Sequence, residues 1–418
     1  MKRTTKVLLN ILVVLVLTSI LLIVNNIKQN KEIIKATYSA RVMGDIDGSG
    51  VINLTDVGRL YRGMKGIITL TSEEKKAGDV ISDGTIDLSD VARLYRYHKG
   101  SINKLVVLTS PTLYTSDNIK SGNTHKIGFL LKLKSGLDVY YCHDSNNKCN
   151  PSTKYTGMLR YSTSTTTYLR YKACNGGNNC SSVGSYKVVL SISLSKGSNY
   201  SSGAISNPWG VAYYSQSDSR WGTSAVPNYP SSTISSKGCG YTALSMLMTG
   251  LTHNYNITPK TIISDLKSSK EKYQYTSGEA SDCAGCMVHY AVKNSTLTNK
   301  YNYLVYRMWA DWSWDEHYGS TNTYKKNAMY ESLQMGHMLF VGVPGHYITV
   351  VGINSSNQMY IFDPAYYGAW TGSFDTFYNN YNNLRNRCKN NNNCGIQMAY
   401  EVYPKGGMSL EEWRNLGD

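Results

Sequence analysis

Hydrophobic and polar positions fall into four successive regimes along the chain. Val7 to Val24 is a stretch of 18 residues made mostly of Leu, Ile and Val. That length lies at the lower end of a membrane-spanning helix. Two short helical patterns follow, Val57–Lys65 and Val91–Lys99, each preceded by a polar, glycine-bearing loop. From Leu105 to about Ser202 the period drops to two, in segments rich in Thr, Ser, Tyr and Val. Leu105–Leu108, Ile127–Leu133, Val139–Cys142, Tyr168–Cys174 and Tyr186–Leu194 read as strands separated by Asn/Gly/Ser turns. Past a small-residue linker at Gly203–Pro208, the period returns to that of a helix at Ala243, Leu244, Leu247, Met248 and Leu251. Three apolar strands then close the chain, Met338–Val343, Tyr347–Ile353 and Met359–Phe362. A helix packed on an antiparallel sheet, an α+β arrangement, is expected there.

A length of 418 residues calls for several domains. The expected boundaries are 1–40 for an anchor and juxtamembrane segment, 41–103 for the repeated loop–helix module, and 104–203 for a β-sandwich. An α+β domain is expected over 204–405 and a tail over 406–418. The net charge of +15 suits an anionic polymer, but no basic run interleaved with aromatics is present and no nucleic-acid partner is expected. Lys2, Arg3 and Lys6 precede the apolar stretch, and no small-x-small cleavage site follows it closely. The expectation is a signal anchor with its N-terminus inside, making a single-pass membrane protein whose C-terminal part is extracellular; cleavage would make it secreted.

The cysteines agree with an oxidising compartment. Eight of the nine fall into close pairs: Cys142/Cys149, Cys174/Cys180, Cys283/Cys286 and Cys388/Cys394. Such spacing points to locally closed disulfides. Cys283 and Cys286 could also form half a zinc site, but no partner ligands stand at the needed spacing. Cys239 is left over. It lies between two glycines at the head of the helical pattern, where unpaired N–H groups and the helix dipole favour a thiolate. A lone cysteine there is also often a small buried hydrophobe.

Residues 44–66 and 78–100 form an ungapped repeat with a period of 34, identical at thirteen of 23 positions. Each copy opens on oxygen-bearing residues at the spacing by which a 12-residue loop wraps a hard cation. The first loop offers Asp45, Asp47, Ser49, Asn53 and Asp56, with the Val51 carbonyl. The second offers Asp79, Asp83, Asp87 and Asp90, with the Thr85 carbonyl; its third position is Ile81, which supplies no ligand. With Asp at the twelfth position and one helix after each loop, the segment resembles a dockerin, the small all-α calcium-binding module that docks into a cohesin. The resemblance implies structural calcium and a cohesin-type partner. It also implies two equivalent faces, Leu54/Thr55 with Leu88/Ser89 and Tyr61/Arg62 with Tyr95/Arg96. The β-rich segment resembles bacterial immunoglobulin-like sandwiches and carries no catalytic cluster.

A nucleophilic cysteine needs a base, and the base needs an orienter. His346 directly precedes the expected strand Tyr347–Ile353, and Asp363 directly follows Met359–Phe362. If Asn354–Asn357 is a four-residue turn, Ile353 faces Gln358 and His346 faces Ala365, and Asp363 lies one diagonal step from His346 on the same face. A one-residue slip would put them on opposite faces. Gln216, some two dozen residues before Cys239, is a candidate amide donor to an oxyanion together with the Cys239 N–H. His143, isolated in the β-rich segment, and His289, His317 and His337 lack any such context. Trp309, Trp312 and Trp314 could shape a substrate cleft.

Gln216-x-Asp-x-Arg-Trp221, then Gly-Cys239-Gly with Thr-Ala in the next turn, then Gly-His346-Tyr and Asp363-Pro, resembles papain-like cysteine peptidases of the bacteriocin-processing, double-glycine leader type. The likeness is greater to the free-standing extracellular branch, since no transporter domain accompanies it. The resemblance implies a papain-like α+β fold with Cys239 as nucleophile, His346 as base, Asp363 as its orienter and Gln216 as oxyanion donor. No cofactor is expected for catalysis. The substrate would be a peptide or protein. Two other functions fit the same residues: a cell-wall peptidoglycan amidase or endopeptidase, suited to the positive charge, and a non-catalytic surface adhesion or scaffold protein.

Overall fold

The computed structural model describes residues 42–81, 84–102, 105, 108–175, 180–226, 229–267, 291–310, 322–382, 384 and 395–416. The chain divides into two compact units, residues 1–109 with Cys174–Ser182, and Ser110–Ala173 with Val183–Asp418.

In the first unit, helices α1 (Leu54–Met64), α2 (Ser72–Gly78) and α3 (Leu88–His98) surround a core of Ile46, Leu60, Leu70, Val80, Leu94 and Leu105. The repeat is visible in how α1 and α3 begin. The Asn53 side chain accepts the Thr55 N–H at 2.7 Å while Asp56 accepts the Asn53 N–H at 2.9 Å. Asp87 and Asp90 reproduce the pair at 2.6 and 3.1 Å. These reciprocal caps satisfy helix-end donors that would otherwise go unpaired. Leu105 and Leu108 were expected to open a strand. Both lie outside any strand, and Leu105 is buried in this helical core instead.

The β-rich segment contains β1 (Thr112–Thr115), β2 (Thr124–His125), β3 (Phe129–Lys134), β4 (Asp138–Asp144), β5 (Thr153–Lys154), β6 (Leu159–Tyr161), β7 (Thr165–Cys174) and β8 (Gly184–Leu190). They form a three-stranded sheet in the order β1-β3-β6 and a five-stranded sheet in the order β2-β8-β7-β4-β5. Phe129, Leu131, Leu133, Val139, Leu169, Tyr186, Val188 and Leu190 make the core associated with them. One pair, β2 with β8, is parallel, so the module is not purely antiparallel. Cys142–Cys149 and Cys174–Cys180 are disulfides.

β3 loses the alternation its neighbours keep, being buried from Phe129 through Leu133. One face belongs to the module's own core. The other face, Leu130 and Lys132, lies against the C-terminal domain. The Lys132 ammonium donates to the Trp413 carbonyl at 3.1 Å and sits 5.1 Å from that residue's ring centroid. The Ser116 hydroxyl donates to the Met335 carbonyl, and Arg160 reaches the Asn354 carbonyl at 2.7 Å and the Asn357 side chain at 2.6 Å. Gly336 has φ of 90°, and a Cβ there would stand 2.8 Å from the Gly128 carbonyl. The module is thus docked on the domain that follows it. Gly203–Pro208 does not behave as a loose linker either: Ala204 is buried, and the Asn207 side chain brackets the N–H and carbonyl of Val211 at 3.0 Å each.

The C-terminal domain begins with the short pair β9 (Ala225–Val226) and β10 (Tyr229–Thr233). It continues through α4 (Ile234–Lys237), α5 (Cys239–Thr252), α6 (Pro259–Lys267) and α7 (Ser295–Lys300). Then come β11 (Tyr303–Ala310), α8 (Asn322–Gln334), β12 (Met338–Val343), β13 (His346–Ile353), β14 (Met359–Asp363), β15 (Gly368–Gly372), α9 (Phe374–Tyr381), β16 (Met398–Pro404) and α10 (Leu410–Asn415). Six strands form one antiparallel sheet in the order β11-β16-β12-β13-β14-β15. Helix α5 covers one face with Ala243, Leu244, Leu247 and Met248 against Phe340, Tyr347, Phe362, Met398 and Val402. Helices α8, α9 and α10 cover the other with Ala328, Met329, Leu333, Phe377, Leu410 and Trp413. Burial on both faces explains why β12, β13 and β14 read as continuous apolar runs. Residues 406–416, expected as a tail, include α10, whose Trp413 is wholly buried.

Among the described residues no helix is long and apolar enough to cross a membrane, which corrects the expected single-pass membrane placement. Val7–Val24, the basis of that expectation, lies outside the described residues, as do Asp83, Cys283, Cys286, Cys388, Cys394, His289, His317, Trp312 and Trp314.

Candidate active site

Cys239 is the first residue of α5, directly after α4 ends. The junction requires Gly238, whose N–H bonds the Ile234 carbonyl at 2.7 Å and where a Cβ would come within 2.5 Å of that same oxygen. The thiol is buried and faces the His346 ring and the N–H groups of Tyr347 and Gly240. Burial by itself favours the neutral thiol. The hydrogen bond and positive charge of His346, with the two N–H groups, outweigh it and hold the thiol below its ordinary value.

His346 opens β13 after the two-residue reversal Pro344-Gly345, in which Gly345 has φ of 68°. Beside the turn Ile353 pairs with Met359 and not with Gln358 as expected, but a bulge between Val350 and Ile353 restores the expected register, with Val350 opposite Ile361 and Thr349 opposite Phe362. His346 and Asp363 therefore share a face. His346 Nε2 lies 2.7 Å from Asp363 Oδ1, which leaves Nδ1 for the thiol. Burial pushes the ring toward neutrality, but Asp363 and Cys239 together raise it to about 9. Asp363, also penalised by burial, is held below the usual carboxylate range by His346, the Ala365 N–H and the Tyr381 hydroxyl. The Tyr366 ring stands edge-on to the imidazole at 4.8 Å. Both shifts run in the direction that favours a thiolate–imidazolium pair over the neutral pair.

Gln216 is buried and tied to the same strand end. Its N–H donates to the Pro364 carbonyl at 2.8 Å, and the Tyr213 hydroxyl donates to the Asp363 carbonyl at 3.1 Å. The rest of the Gln-x-Asp-x-Arg-Trp motif shapes this loop. Arg220 is paired with Asp218 at 2.6 Å and lies 4.4 Å from the Trp221 ring centroid, while the Trp221 indole donates to the Ser215 carbonyl at 2.8 Å. Arg220 is the main cause holding Asp218 down at about 2. One N–H of the Gln216 amide donates to the Ser235 carbonyl at 2.6 Å, and its buried Oε1 has no hydrogen-bond partner among the described residues. The amide's second N–H remains for another acceptor.

Other candidates separate from this cluster. Trp309 does not shape a cleft; it is wholly buried, its indole donating to the Ile396 carbonyl at 3.2 Å. His337 is buried against Glu401 at 2.8 Å, where Ser332 and the Leu410 N–H also meet that carboxylate, so it ties α8, β16 and α10 together. His143 is exposed on β4 and bonds the Tyr161 hydroxyl at 2.8 Å. Tyr381 was not anticipated at the site. The spacing of Phe374, Phe377 and Tyr381 marks an inward helix face, but nothing in it singles out the phenol.

Residues 209–389 match the model of the Peptidase_C39 like family, and residues 43–97 match that of the Dockerin type I domain. The chain carries a Peptidase C39-like domain and a dockerin type I domain. No curated protein and no solved structure matches it significantly. In the dockerin domain, oxygens of Asp45, Asp47 and Asp56 lie within 4.8 Å of one another, and Asp45 and Asp56 are buried. Three carboxylates held this close favour a shared hard cation, and the donor set fits calcium, the structural metal of dockerins. In the second loop, Asp79 accepts the Gly84 N–H at 2.9 Å and Asp90 that of Ile81 at 3.0 Å. The dockerin helices expose matched pairs, Leu54 with Leu88 and Tyr61 with Tyr95. Lys65 and Lys99 stand over the two tyrosine rings at 5.9 and 5.8 Å.

Proposed function

We propose that the C-terminal domain is a cysteine peptidase acting on peptide or protein substrates outside the cytoplasm, delivered to a cohesin-bearing partner by the dockerin. The Cys239 thiolate attacks the scissile carbonyl, forming a carbon–sulfur bond and an oxyanion. Gln216 and the Cys239 backbone N–H donate to that oxyanion. His346 gives its proton to the leaving amine as the carbon–nitrogen bond breaks, and Asp363 keeps the ring aligned. His346 then accepts a proton from water, which hydrolyses the thioester to a free acid and restores the thiol. What carries this reading is a buried thiol at a helix N-terminus facing an imidazole that is backed by a buried carboxylate. The two disulfides and the dockerin favour an extracellular or cell-surface setting.

In the dockerin, Asp45, Asp47, Ser49, Asn53 and Asp56 with the Val51 carbonyl form the first calcium site. Asp79, Asp83, Asp87 and Asp90 with the Thr85 carbonyl form the second. We read the β-rich module as an immunoglobulin-like sandwich that buttresses the peptidase. Assay of the purified chain against a peptide library tests the central claim. Cys239→Ala abolishes hydrolysis and His346→Ala lowers it sharply; full hydrolysis by Cys239→Ala refutes the mechanism.

A further inference from the structure

Asp363 is wholly buried and both its oxygens are engaged. Oδ1 accepts from His346 Nε2 at 2.7 Å, the Ala365 N–H at 2.8 Å and the Tyr366 N–H at 3.0 Å. Oδ2 accepts from the Tyr367 N–H at 3.2 Å and the Tyr381 hydroxyl at 2.7 Å. The three N–H donors belong to the turn that follows Asp363 and move with it. Tyr381 arrives from the end of α9, a separate element, and makes the shorter of the two bonds to Oδ2.

The Tyr381 ring has little room to move. It is fully buried, 4.9 Å from the Phe377 ring and edge-on to Tyr367 at 5.1 Å. A carboxylate swings about its last torsion between broad, roughly two-fold wells, so fixing one oxygen fixes the plane of the other. With Oδ2 pinned, Oδ1 stays aimed at Nε2, and Nδ1 stays aimed at Cys239. Burial and the Asp363 charge both push the phenol's pKa far up, so it remains a donor wherever the thiolate exists.

We propose that Tyr381 is a positioning residue of the peptidase site, holding the plane of Asp363 and through it the His346 ring. The proposal rests on the reading of this domain as a cysteine peptidase. A tyrosine serving only to fill the core would need its ring and not its hydroxyl, which separates the two roles.

The test is Tyr381→Phe, which keeps the ring and removes the hydroxyl, followed by three readouts on the full chain: steady-state kinetics, the rate of Cys239 alkylation by iodoacetamide near neutral pH, and the thermal midpoint. A hydrogen bond to a charged group is strong enough for kcat to fall by about tenfold or more, with KM within about twofold. Alkylation slows in parallel, and the midpoint stays close to that of the unaltered chain. Unchanged kcat and alkylation overturn the proposal, as does a loss that merely tracks a large drop in midpoint. Alkylation needs no substrate. If the unaltered chain cleaves no peptide yet Tyr381→Phe still slows alkylation, the peptidase reading fails while the positioning role stands.

Discussion

Replacing Asp363 with Asn tests the electrostatics of the site directly. In the native chain Oδ1 holds His346 and two N–H groups, while Oδ2 holds the Tyr367 N–H and the Tyr381 hydroxyl. An asparagine that keeps its carbonyl at Oδ1 puts an NH2 group where Oδ2 was. Tyr381 can turn to accept from it, but the Tyr367 N–H loses its acceptor. Shape is largely preserved and the negative charge is gone. His346 stands at about 9 against an ordinary 6.5, a preference for the charged ring of about 3 kcal/mol at 1.36 kcal/mol per unit. A hydrogen bond to a charged partner accounts for about 1.5–3 kcal/mol, so removing the carboxylate lowers the midpoint by about 1–2 units, to about 7–8. The sign also fixes the stability effect. A ring whose folded value is raised stabilises the fold fully below 6.5, and that contribution disappears as pH rises through about 9. Imidazole NMR of His346 across pH 6–10 reads the midpoint without any substrate. A midpoint still at about 9 in Asp363→Asn would refute the assignment of Asp363 as the source of the shift.

Three further outcomes follow from the same geometry. Asp218 is held down at about 2 by Arg220, so its contribution is present above 3.8 and lost as pH falls through about 2. Asp218→Asn costs about 2 kcal/mol at neutral pH, read as a lower denaturant midpoint, and the difference from the unaltered chain shrinks in acid. Asp45→Ala removes one of three converging carboxylates, and calcium titration of the full chain by calorimetry then shows the first site weakened at least tenfold; unchanged binding would place the metal elsewhere. Lys132→Ala strips a buried ammonium from the Trp413 carbonyl and ring, and lowers stability by about 1–3 kcal/mol in urea unfolding.

Much of the site was legible because short-range rules govern it. The alternation along the two strands puts His346 and Asp363 on one face, although beside the turn Ile353 pairs with Met359 and a bulge before it restores the expected register. Six- and seven-residue separations brought Cys174 to Cys180 and Cys142 to Cys149. What stayed hidden depends on distant partners. Lys132 reads as a solvent-facing strand residue until a carbonyl 281 positions away claims it. Tyr381 is one of 35 tyrosines, and only the packing of α9 gives its hydroxyl a partner. Leu105 alternates like a strand residue but is claimed by a helical core.

The place of β16 bears on how the sheet is put together. Strand β16 comes last in sequence yet lies between β11 and β12 in the sheet, while Cys239, His346 and Asp363 all precede it. A nascent chain emerging N-terminus first therefore carries every proposed catalytic group before it has the strand that joins β11 to the rest. The six-stranded sheet is completed only when residues near 400 arrive, followed by α10, whose Trp413 also meets Lys132 of the β-rich module. The strands that hold His346 and Asp363, β12 to β15, all precede β16, so a chain cut short before Met398 lacks the strand that ties β11 to them and not the strands that carry the pair.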